Sequence, residues 1–92
     1  DAVALGCPAM GSEVLEDMEF EPMFEGCKSA LKGKRVALFG SYGWGGGEWM
    51  QNWERDCRSS GIQLACDSVI CNDAPDDAAL AACQALGKAL VD

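Results

Sequence analysis

The sequence has 92 residues, 49% of them apolar, a formal net charge of −8 and no histidine. A chain this short makes one small domain that buries roughly two-thirds or less of its unfolded surface, so its stability margin is thin. The acidity argues against nucleic acid or an anionic membrane as partner and favours basic proteins. The missing histidine removes the commonest acid–base group and metal ligand.

In chain order, residues 1–8 read as a short buried strand ending in a turn. It opens with no lead-in, so the chain is expected to be cut from something longer. Residues 9–13 are the loop after that strand, in which Gly11 can take the positive φ of a type II turn. Residues 14–25 are acidic. Phe20, Met23, Phe24, Cys27 and Leu31 then fall three or four apart and make one apolar helix face. Pro22 suits the first turn of that helix, and Lys32, Gly33 and Lys34 suit its end. The acid run is expected to be a solvated face, with a docking surface as the sharper alternative.

Residues 36–49 organise the chain. Val36, Ala37, Leu38 and Phe39 form the apolar run of a strand buried on both faces. Five glycines follow within residues 40–47, with Trp44 among them, and a helical pattern runs over 47–58. Strand, glycine loop and helix in that order make an α/β ligand site. A phosphate cradle is one reading of the loop, but Glu48 stands where the fingerprint needs glycine and would repel an anion at the helix start. A flat aromatic ligand stacked on Trp44 is the second reading. A tight turn with Trp44 folded into the core is the third. Trp49, Met50, Trp53 and Cys57 share a face of the helix and read as core.

Ser59, Ser60 and Gly61 stop that helix. Residues 62–71 make a third extended segment, 72–75 a turn, and 78–91 a final helix with Leu80, Cys83, Leu86, Leu90 and Val91 on one broad face. Three β-loop-α units in succession imply an α/β domain over residues 1–92, with parallel strands and right-handed crossovers. The six cysteines form no C-x-x-C pair and several lie inside apolar patterns, so free, mostly buried thiols in a reducing, cytoplasmic compartment are expected. No spacing suggests a zinc site, and the apolar runs are far too short for a membrane span.

The run Ala4-Leu5-Gly6-Cys7-Pro8-Ala9-Met10-Gly11, with Glu13 to Glu16 after it, then Glu19 to Pro22, then Gly33-Lys34 and Val36 through Gly45, closely resembles a short-chain bacterial flavodoxin of the clostridial type. The resemblance spans essentially the whole chain but only the later part of that fold. It implies a flavodoxin-like three-layer αβα sandwich with a parallel sheet, truncated here to the last three β-α units. The family's first two strands and the loop that holds the FMN phosphate are expected to be absent. By resemblance, non-covalently bound FMN would be held at Pro8, Ala9, Met10, Gly11, Ser12 and Glu13 and at Ser41, Tyr42, Gly43, Trp44 and Gly45. Met10 would pack on the inner face of the flavin ring and Trp44 would stack on the outer. Glu13 would accept from ring N3–H, and the Gly11 peptide would turn its carbonyl toward N5 once the flavin takes one electron. Ser12 and Gly46 stand where the family often carries an acid or amide, which touches the potential rather than the ring contacts.

The resemblance thus implies a low-potential one-electron carrier, not an enzyme, whose partners are redox proteins with basic docking surfaces. The alternatives are a non-flavin α/β interaction module, or a flavodoxin fragment unable to retain FMN. An independent enzyme has no acid–base pair, metal cluster or activated nucleophile in the sequence to support it. The unpaired first strand would also favour self-association.

Overall fold

A computed structural model describes residues 2–10 and 14–91. Its strands are β1 (Ala2–Gly6), β2 (Arg35–Tyr42), β3 (Gln63–Leu64) and β4 (Val69–Asn72). Its helices are α1 (Phe20–Leu31), α2 (Glu48–Ser59) and α3 (Asp77–Val91). β2 is central. It pairs in parallel with β1 on one side and with β3 and then β4 on the other. The all-parallel pairing and the β-α alternation agree with the sequence.

β2 is apolar throughout its middle because it meets helices on both faces. Val36 and Leu38 point into the larger core, with Phe24 and Leu31 of α1 and Trp49, Met50, Trp53 and Cys57 of α2. Ala37 points the other way, against Leu86 and Leu90 of α3. These are the three layers expected. The Trp49–Trp53–Cys57 stripe is buried, as its spacing predicts. On the α3 face the burial is narrower than the sequence implies: Leu80, Cys83 and Val91 are exposed, because one helix covers a sheet face that two helices cover on the other side.

α1 and α2 are joined by aromatic edges and one ion-pair bridge. The rings of Phe20 and Phe24 meet Trp53 edge-on, at centroid distances of 5.4 and 5.8 Å. Such pairs add roughly 0.5–1.5 kcal/mol each beyond their burial. Lys28 on α1 reaches Glu25 and, across the helices, Asp56, both at 2.9 Å.

Two local features depart from the sequence reading. The third extended segment is not continuous. Val36 is opposite Leu64 and Phe39 is opposite Val69, so residues 65–68 of the edge span only residues 37 and 38 of β2. The excess chain loops out, and Ser68 Oγ donates to Glu54 on α2 at 2.6 Å. The second departure is the entry to α1. The acidic stretch supplies a cap: the Glu16 carboxylate accepts from the backbone N–H groups of Met18, Glu19 and Phe20 at 2.8, 2.9 and 2.7 Å. Those N–H groups would otherwise be orphans of the helix start.

These backbone bonds hold the Glu16 carboxyl below its ordinary value. A carboxyl with a lowered folded-state value adds stability above its unfolded value, near pH 4, and loses it as pH falls through the folded one. Glu16→Gln should therefore unfold at lower urea than the parent at pH 7, with the gap closing below about pH 4. Urea melts at the two pH values measure this; a gap independent of pH would contradict it.

Candidate functional site

Because the strands run parallel, β1, β2 and β4 all end on one edge of the sheet, and three loops meet there. The ladder between the first two strands continues past β1. Cys7 N–H donates to Phe39 O at 3.1 Å and Ala9 N–H to Ser41 O at 2.9 Å. The chain then bends back, and Met10 and Val14 exchange both backbone bonds, at 2.9 and 3.0 Å. Gly11, Ser12 and Glu13, which the sequence places in the site, lie outside the described residues.

The bend can lie this close only because Gly40 has no side chain. A Cβ there would overlap the Cys7 carbonyl oxygen. That oxygen accepts from the buried Trp49 indole N–H at 3.1 Å. One carbonyl thus ties the end of β1 to the first turn of α2, directly under the glycine loop.

In that loop Trp44 is 68% exposed. Folding of its ring into the core, one of the three readings of the sequence, is overturned. Met10 on the facing bend is also exposed, at 43%. The phosphate reading fails as well: Glu48 turns back and accepts from Gly46 N–H at 2.9 Å, putting a carboxylate where an anion would have to bind. Gly45 and Gly47 have φ of 88° and 91°, the left-handed values this turn requires.

The sequence-derived site residues therefore separate by what they contribute. Pro8, Ala9 and Met10 lie on the chain after β1, with Ala9 packed on the core and Pro8 and Met10 exposed. Ser41 lies near the end of β2, and Gly43, Trp44 and Gly45 lie on the exposed loop after it. Tyr42 turns its ring inward onto Trp49, at 5.7 Å, and offers the site only backbone.

The third loop was read from sequence only as a turn, yet it braces the second. Asn72 Nδ2 donates to Tyr42 O at 3.2 Å and Gly43 O at 3.3 Å, and Asp73 N–H donates to Tyr42 O at 2.8 Å. Asp73 takes φ of 56°, which Asp and Asn tolerate better than most residues. An Asn-Asp pair closing a strand beside a glycine loop was the available signal. Knowing which strand neighbours β2 is what gives it meaning.

Burial pushes the Cys7 thiol up, and pushes Cys57 up to about 11. All six cysteines are free, as expected, but they are not mostly buried: only Cys7 and Cys57 are, while Cys27, Cys66 and Cys71 are half-buried and Cys83 is exposed, because the sheet edge and the outer side of α3 are left uncovered. Among the described residues no group of side chains could hold a metal ion, and no helix is long and apolar enough to cross a membrane.

This architecture defines an open parallel α/β domain whose binding edge lies at the carboxyl ends of its strands. The chain is in particular flavodoxin-like, in sequence and in fold. It is 48% identical over 89 residues to a flavodoxin of Megasphaera elsdenii, a match covering 97% of this chain and 63% of that protein. It is 47% identical over 78 residues to a flavodoxin of Clostridium beijerinckii, covering 85% of this chain and 56% of that one. The solution structure of two-electron reduced Megasphaera elsdenii flavodoxin superposes with a TM-score of 0.84 over 97% of this chain and 63% of its own. The chain therefore spans somewhat less than two-thirds of these relatives. No protein-family model matches it.

Asn72→Ala should free the glycine loop without unfolding the domain. Amide exchange at Gly43, Trp44 and Gly45 should accelerate several-fold while global stability falls by no more than about 1.5 kcal/mol, the ordinary net worth of a hydrogen bond. Unchanged exchange at those amides would remove the bracing role.

Proposed function

We propose that this chain is the flavin-ring-binding portion of an FMN-dependent electron carrier. The observation that carries the reading is the apposition of the two bends, fixed by the Ala9–Ser41 backbone bond, with Trp44 presented to solvent rather than to the core. An exposed indole on a braced glycine loop, facing a second bend with an exposed methionine, suits a planar aromatic ring. The residues present fit that group. Met10 would pack on one face of it and Trp44 on the other, with backbone of residues 41–45 along its edge. By resemblance, Gly11, Ser12 and Glu13 complete the site.

Bound FMN would supply the redox chemistry itself, taking and giving electrons one at a time, so the protein needs no catalytic acid or nucleophile. What these residues supply is field and exclusion. Glu48 and Asp73 stand at the glycine loop, on a chain of net charge −8. Negative charge beside the ring opposes electron addition and favours a low potential. The same acidity favours redox partners with basic docking surfaces, met in the cytoplasm. Among the described residues β1 pairs on one side only, and its free edge favours self-association.

Trp44 is exposed while Trp49 and Trp53 are buried, and a flavin ring stacked on it should quench fluorescence by contact and by energy transfer from the other two. Titration with riboflavin and with FMN should quench, and Trp44→Ala should move the quenching to higher flavin concentration, weakening binding roughly 5- to 150-fold, the worth of one aromatic stack. A colourless protein that ignores both flavins up to millimolar concentration would leave the non-flavin interaction module as the better reading. Light scattering on the same samples decides self-association, which a monodisperse monomer would exclude.

A further inference from the structure

The Asp73 N–H to Tyr42 O bond, with the pairing of Asn72 opposite Tyr42, fixes the phase of the ladder between β4 and β2. In a parallel pair alternate residues turn both backbone groups toward the neighbouring strand. Asp73 is in that phase, so Val69 and Cys71 are too. The N–H and C=O groups of Ile70 and Asn72 therefore face away from β2. Among the described residues β4 has no strand on that side, and both residues are exposed. Two residues spaced by two, each offering a donor and an acceptor, are the pairing face for a further strand.

Beside that edge runs an open groove of about 780 Å³ between β4 and α3. Ala78, Ala82 and Ala85 stand on its α3 side, and their single methyl groups leave room for a larger apolar side chain. Successive side chains of a strand point to opposite faces, so every second one of an added strand would rest there. The only charged side chains on the walls are Asp67, just before β4, and Asp76, just before α3. One oxygen of Asp76 accepts from Ala79 N–H at 2.8 Å, which leaves the other for an occupant. β4 has four residues. That is about 13 Å of strand, so a segment of about five residues reaches both carboxylates.

These walls select the occupant. A second copy of this chain would bring a further net charge of −8 toward the two carboxylates. A segment that alternates cations with apolar residues meets the carboxylates, the methyl wall and the outward backbone groups together. We propose that β4 and α3 form a docking groove for a short, extended, basic peptide segment of another protein, added to the sheet as a strand along Ile70 and Asn72. The groove does not rest on the flavin reading, because Tyr42 is the only residue of the two ring-site segments on its walls.

The probe is the capped peptide Lys-Val-Lys-Val-Lys, titrated into the ¹⁵N-labelled 92-residue protein. The largest amide shifts should fall at Ile70 and Asn72, and hydrogen exchange at both should slow. The Glu-Val-Glu-Val-Glu peptide should produce neither effect. Asp67→Asn should weaken binding roughly 1.5- to 5-fold, the worth of one exposed ion pair. Methylating the valine nitrogens or the lysine nitrogens removes the donors of one strand phase or the other; one set should abolish the shifts and the other should leave them. Three results would overturn the proposal. One is no response at Ile70 and Asn72 up to millimolar peptide. Another is equal behaviour of the two methylated sets, or of the acidic and basic peptides. The third is protection of Ile70 and Asn72 without peptide that is lost on dilution, which would give the edge to a second copy.

Discussion

The structure depends on one crowded point, the passage of the Cys7 carbonyl over Gly40. Parallel strands diverge as they leave a sheet, because each twists relative to its neighbour. Here β1 and β2 stay together beyond β1, through the Cys7–Phe39 and Ala9–Ser41 bonds. Contact at that distance leaves no room for a side chain on β2, so the residue is glycine. The carbonyl has a second lone pair, and Trp49 takes it from α2. Two loops from different β-α units are thereby registered on a single oxygen. The adjacency of the bend after β1 and the loop after β2 follows from that registration.

Most of the framework was legible because it rests on periodicity. The apolar run of β2 and the four-residue stripe of α2 are strong signals, since each buries a full face. Trp44 could not be placed from composition, for tryptophan is buried more often than not. Its exposure comes from the loop geometry, in which Gly45 and Gly47 take left-handed φ and Glu48 folds back onto Gly46. The whole α3 stripe was equally plain in sequence, yet only Leu86 and Leu90 are buried. A hydrophobic pattern says which face a helix would bury, not how much protein stands opposite it.

The features that escaped the sequence are those made by polar atoms at a distance. Glu16 looked like one acid among several, and its value lies in reaching three backbone N–H groups at once. The break in the third extended segment was masked by its apolar flanks, although Asp67 and Ser68 are residue types that favour turns. What marks it is a register with β2 that slips by two residues. Asn72 became visible only when β4 was found beside β2, which brings its amide to the Tyr42 and Gly43 carbonyls.

The chemistry of the candidate site follows from what surrounds it. Beside Met10 and Trp44, the described residues around the two bends include the polar side chains of Ser41, Glu48, Asn72 and Asp73, and no buried polar or charged side chain stands among the described residues. Besides packing against it, the described residues would influence a bound ring through the backbone dipoles around Gly40 and Asn72 and through the standing field of carboxylates on the surface. Both are set once the chain has folded. That arrangement suits the proposed role of holding and tuning a flavin ring, and it places much of the precision of the described loops in carbonyl positions.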